Sequence, residues 1–244
     1  MRYSDQFPKY VSVAEKRRLS QKSIESLKKK NPDIAPVMIT GSKLTTTWWG
    51  KSWNDNLESY SDYANRIGRG RSYVRHGAVL DLQMTQGSIR AQVQGSASKP
   101  YQVHIAIQPL AKESWEALVK ECSGKIDSLQ KLVEGKFPKA LSELFTSKGK
   151  GLFPAPKEIT LQCSCPDYAT MCKHVAAVLY GVGVRLDEDP TLFFALRGVN
   201  IEGLISETIT KKSESLLEKS KTKSRRVMED ADVSGMFGIE MEPK

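Results

Sequence analysis

CSCPDYATMCKH, residues 163–174, gathers three of the chain's four cysteines and one of its three histidines into twelve positions. The spacing is Cys-x-Cys, six residues, then Cys-x-His. Cys163, Cys165, Cys172 and His174 offer three thiolates and one imidazole. Zn²⁺ takes four such ligands in a tetrahedron, with Zn–S about 2.3 Å and Zn–N about 2.0–2.1 Å. The protein would then fill every position and leave none for water, so one structural Zn²⁺ is expected rather than a catalytic one. The competing readings are a chance cluster of buried thiols and a redox pair. Cys163 and Cys165 are too close in sequence for an easy disulfide, which favours the metal. The fourth cysteine, Cys122, follows an apolar helical face and reads as a core or surface thiol.

The flanks fit a finger. EITLQ, 158–162, reads as a strand, Pro166-Asp167 as a turn, and Lys173 to Tyr180 as the start of an apolar helix. Strand and turn would bring in the first two ligands and the helix start the last two. Few large apolar residues lie near the ligands, so metal would supply much of the local folding energy.

Cys163-Ser-Cys165, then Cys172-Lys-His174, then an apolar helix, resembles the SWIM zinc finger, CxC…CxH. WWGKSW (48–53), RGRSYVRHG (69–77), VQGSASKPY (93–101) and GLFPAP (151–156) are similar to blocks of bacterial and archaeal SWIM proteins encoded beside Swi/Snf-type helicases. The resemblance spans residues 40 to 205. It implies a DNA-binding or protein-interaction role, with a Swi/Snf-type helicase/ATPase as partner. It carries over the four metal ligands and assigns no nucleic-acid contact.

Upstream, Trp49, Trp53, Leu57 and Tyr60 share one helical face. The runs 77–85, 88–96 and 101–110 alternate like strands. Leu80, Leu82 and Met84 are expected on one face of the first run. Ile89, Ala91 and Val93 follow in the second, and Val103, Ile105 and Ile107 in the third. Gln86-Gly87 suits a tight turn, so a three-stranded antiparallel meander is expected. Helical patterns fill 112–145, with a break at Ser123-Gly124, and 146–156 reads as a loop. The fold class is α+β: a small antiparallel sheet with helices, plus a zinc-stabilised ββα-like SWIM finger. The expected organisation is a basic N-terminal arm (1–38), an α+β domain (39–150), the finger with following helices (151–205), and a charged flexible tail ending in an apolar motif (206–244).

Charge frames the function. The chain carries 37 Lys and Arg against 28 Asp and Glu, a net +9, which favours a polyanionic partner over a merely solubilising surface only when a built site agrees. RIGRGRSYVRH, 66–76, is the candidate nucleic-acid edge. Arg66, Arg69, Arg71 and Arg75 would contact phosphates, Tyr73 could stack on an unpaired base, and the glycines would let backbone approach. The alternative is that these arginines pair with Asp55, Glu58 and Asp62 and lock the meander to the preceding helix. Trp49 and Trp53 read as core, and neither His76 nor His104 belongs to a ligand set.

No phosphate loop, G-x-S-x-G or convincing carboxylate pair is present, and nothing selects Asp81, Asp167 or Asp187, so no catalysis is expected. No stretch reaches the roughly 18–20 apolar residues of a membrane helix. A cytoplasmic protein without membrane contact is expected. The leading functional reading is a zinc-binding, nucleic-acid-binding accessory protein, for DNA rather than RNA, working with a Swi/Snf-type helicase/ATPase. The alternative is a protein–protein adaptor whose finger and C-terminal tail, closing on GMFGIEMEPK (235–244), dock on a partner.

Overall fold

A computed structural model describes residues 12–60, 64–122, 129–167 and 169–203, with isolated positions up to 217. The GMFGIEMEPK motif, most of the charged segment before it, Asp62 and the Ser123-Gly124 break lie outside these residues. Among the described residues no helix is long and apolar enough to cross a membrane.

The first helix, α1 (Val13–Lys30), starts at Ser12, whose hydroxyl accepts from the Glu15 amide, and ends on three lysines that complement the helix dipole. The chain then runs extended beside the sheet: the Val37 amide donates to Val79 and the Leu82 amide to Ala35. Asp81 fixes this segment, accepting from the Ala35 amide and from the Gln83 side chain. Next come α2 (Trp48–Glu58) and α3 (Ala64–Arg75).

The sheet follows as β1 (Val79–Thr85), β2 (Ser88–Val93) and β3 (Tyr101–Ile107), the expected meander. Gly87 makes the β1–β2 turn with a positive φ of 65°, where a side chain would be strained. Three short helices, α4 (Lys112–Cys122), α5 (Leu129–Val133) and α6 (Lys139–Phe145), precede β4 (Ile159–Cys163). The chain then folds into α7 (Lys173–Glu188) and α8 (Thr191–Leu196).

The strand that leads into the cysteine cluster is part of the meander. β4 pairs antiparallel with β3, Cys163 opposite Val103, giving one sheet in the order β1-β2-β3-β4. One continuous core joins the two sides of the expected boundary near residue 150, from Trp49 and Val74 to Val178 and Phe193. Helix α7 is its centre, with every residue from His174 to Val184 buried. Trp49 and Trp53 are fully buried and donate their indole N–H groups to the carbonyls of Leu132 and Leu179, so they are core as expected. Cys122 is buried too.

One face assignment changes. The register shifts between Val79 and Asp81, a bulge that leaves Leu82 and Met84 opposite Ala91 and Ile89 but turns Leu80 to the other side. There Leu80 packs with Ile24 and Ile34, so α1 and the extended segment cover that face at β1. The basic N-terminal residues from 12 onward therefore lie against the sheet.

Candidate metal centre and its surroundings

Each ligand position follows from the fold. Cys163 ends β4, Cys165 lies in the turn, Cys172 is the N-cap of α7 and His174 is its second residue. The sheet pattern continues through Ser164, which exchanges hydrogen bonds with Gln102 and so fixes the chain between the first two cysteines. Asp167 closes the turn by accepting from the Ala169 amide.

The three sulfurs and one imidazole nitrogen all lie within 4.8 Å of one another. His174 Nδ1 stands 3.9 Å from Cys163 Sγ and 3.8 Å from Cys172 Sγ. The S···N edge of a zinc tetrahedron built from ordinary bond lengths is about 3.6 Å, so the donor set fits the ion. Cys172 Sγ accepts from the Val175 amide at 3.5 Å, as a thiolate at a helix start should. A hydrogen bond from Cys163 is the main cause that holds the Cys172 thiol far down, near 3, with His174 and the Val175 amide adding to it. The same sharing, with burial, pushes Cys163 up. Zinc binding displaces the protons that the ligand thiols still carry.

His174 Nε2, on the far side of the ring, is buried and has no hydrogen-bond partner among the described residues. Tyr101 tilts against the ring at 4.5 Å and Tyr73 meets it edge-on at 5.4 Å. Gly95 closes this box, since a Cβ there would fall 2.8 Å from Nε2. Packing, not a hydrogen bond, orients this ligand.

The arginine segment is a helix, and its residues divide. Arg66 pairs with Asp167 at 3.0 Å, across to the finger turn. Arg71 pairs with Glu58 and also reaches the Tyr180 hydroxyl, which itself donates to Glu58. Arg75 donates to the Ser42 carbonyl. Arg69 is exposed and has no polar partner among the described residues. Glu58 is thus one of the acids expected to hold the arginines, whereas Asp167 could not be foreseen from local spacing. Of the glycines, Gly70 faces α7 rather than solvent: a Cβ there would meet the backbone of Ala176 and Ala177. Tyr73 lies one turn after Arg69, with the Lys173 ammonium 5.5 Å above its ring.

Sequence reading missed the use of Asp187 and of α1. Asp187 accepts from the Thr46 and Thr47 amides and hydroxyls and so ties the end of α7 to the start of α2. Helix α1 brings Lys16 and Arg17 beside His76, where burial first and then these two charges hold the imidazole below its ordinary value. The cue for α1 was its charge, seven basic residues against two acidic over Val13–Lys30, but nothing local placed it beside α3.

A closed Cys₃His set at a strand end and a helix start defines a zinc finger protein with a structural site. Residues 148–182 match the family model of the SWIM zinc finger, and with this geometry the segment is a SWIM finger, a binding module. The chain is also similar to Uncharacterized protein Rv2102 of Mycobacterium tuberculosis, 38% identical over 168 residues, which is 68% of this chain and 60% of that protein. No solved structure matches.

Proposed function

We propose that this is a zinc-stabilised nucleic-acid-binding accessory protein, for DNA in the first instance, that works with a Swi/Snf-type ATPase. The observation that carries the reading is the exposed basic surface of α1, laid beside α3 and next to the finger. Lys16, Arg17, Arg18 and Lys22 are exposed on α1, and Arg69 is exposed on α3. Zinc supports the platform, and the cations supply phosphate contacts. The ATPase partnership rests on the sequence resemblance.

The test is a salt titration of the zinc-loaded full chain with labelled single- and double-stranded DNA and RNA. Five neutralised phosphates on a single strand predict a log–log slope of about −3.5. Absence of binding to every probe at low salt overturns the reading. The adaptor role would then stand, and capture of the ATPase by the full chain but not by one truncated after residue 205 would establish it.

A further inference from the structure

Two clefts flank α1 and share Ser20 and His76. One, of about 360 Å³, is lined by Arg17, Arg18, Ile24, Met38 and Arg75. The other, of about 300 Å³, lies between Lys16 and Leu19 of α1, Tyr73 at the end of α3, and Gln94–Ser96 after β2. The second has the more telling composition. Its lining is apolar at Leu19, Tyr73 and Ala78, and Leu19 is 45% exposed. Cations surround it: Lys16 within the lining, Arg17 next along α1, Lys173 above Tyr73, and Arg69 a turn before Tyr73. No carboxylate lines it. Its volume is at the low end of the roughly 300–1,000 Å³ of small-ligand sites, room for one nucleotide and too narrow for a duplex.

We propose that this cleft seats one unpaired nucleotide of a single-stranded nucleic acid, its base against Tyr73 and Leu19 and its flanking phosphates on Lys16, Arg17, Lys173 and Arg69. The inference rests on the nucleic-acid-binding reading and narrows it to a place and a strand state. An aromatic ring accepts any base by stacking, while cations on both sides follow the backbone. A duplex has no unstacked base to offer. Tyr73 meets His174 edge-on and Gly95 lies against the same ring, so the metal centre backs two of the residues that line the seat. Arg66 and Arg71, held by Asp167 and Glu58, take no part.

The experiment uses the zinc-loaded full chain with fluorescein-labelled dT15, U15 and a 15-base-pair duplex, read by anisotropy. The expected result is at least tenfold tighter binding to a single strand than to the duplex. Lys16→Glu/Arg17→Glu should weaken single-strand binding at least tenfold. Lys29→Glu/Lys30→Glu, the same charge change about 20 Å along the same helix, should weaken it less than threefold. Photocrosslinking to an oligonucleotide carrying 5-iodouracil should label the tryptic peptide 72–75, which contains Tyr73. The dT15 and U15 arms tell whether DNA or RNA supplies the nucleotide, and preference for either supports the seat. Equal loss from the two charge reversals, equal affinity for duplex, or crosslinks confined to other peptides would overturn it. In each of those cases the wild-type chain still binds, so the broader reading survives; loss of both would show as no wild-type binding at all.

Discussion

Gly68 and Gly70 sit two residues apart in α3, and alanine at each should act with opposite sign. A Cβ at Gly68 meets nothing within 4 Å, so Gly68→Ala gains only helix propensity, about 1 kcal/mol. A Cβ at Gly70 would run into the Ala176 Cβ and lie 2.7 Å from the carbonyl carbon of Ala176 and 2.9 Å from the Ala177 amide nitrogen. Ordinary carbon contact begins near 3.5 Å, so α3 must move from α7 by nearly 1 Å. The obstructing atoms are α7 backbone and the alanine Cβ fixed to it, none of which can rotate away. Overpacking of this kind costs about 1–3 kcal/mol, and the upper end applies here. After the same propensity gain, Gly70→Ala is expected to lose about 2 kcal/mol net. For a chain of this size, 1 kcal/mol moves Tm by about 2–4 °C, so the two variants should differ by about 6–12 °C in a thermal melt. Ala176 also lies two residues after His174, so Gly70→Ala should release zinc more readily to a chromogenic chelator while Gly68→Ala does not. Melting points within about 2 °C of each other, at unchanged zinc release, would show that the close α3–α7 approach is not what holds this glycine.

Cys172→Ser should reduce bound zinc from one per chain to near zero by elemental analysis, although serine can still cap α7; retention of one equivalent refutes the ligand assignment. Arg197 is 1% exposed, donates to the Gln108 carbonyl and pairs with Glu158 at 2.9 Å. Arg197→Met should cost about 3 kcal/mol in urea denaturation, because Glu158 is left without its charge partner, and adding Glu158→Gln should recover part of it. His76 is held low by burial and by Lys16 and Arg17, so the unfolded chain takes up its proton at a higher pH than the native one. Its contribution to stability is complete above the unfolded value of about 6.5 and falls as pH drops below it. NMR titration should place the His76 midpoint below that of a model histidine, and His76→Gln should flatten the stability profile below pH 6.5.

The parts of the fold governed by short sequence separation were legible. Alternation marks the three strands of the meander, tryptophan spacing marks α2, and ligand spacing marks the metal centre. The parts that failed depend on long separations or on one-residue register. EITLQ reads as a strand, but its partner lies more than 50 residues earlier, and nothing in either segment names the other. Leu80 breaks an alternation that Leu82 and Met84 obey, because a bulge adds one residue at that point. The segment 66–76 did not read as a helix because Gly68 and Gly70 weaken that propensity; at Gly70, contact with α7 outweighs it. Arg66 and Asp167 are a hundred residues apart in the chain and adjacent in space. The three aspartates considered singly prove to fix backbone: Asp81 the extended segment, Asp167 the finger turn, Asp187 the start of α2.

The metal's place at the junction explains why so small a motif is tied to so large a body. An isolated finger depends on its ion for a core, because its few apolar residues cannot bury enough surface. Here β4 is already an edge strand of a four-stranded sheet and α7 is already the central helix of the core. The ion therefore has less to assemble and a different task. It fixes the end of β4 to the first turn of α7, and through the ring of His174 it fixes both to Tyr101 of β3 and Tyr73 of α3. Those contacts have no hydrogen bond to define them, since Nε2 is enclosed by aromatic rings and Gly95. Their geometry is set by where the ion holds Nδ1. The zinc thus positions an aromatic residue on a different helix, beside the cations of α1.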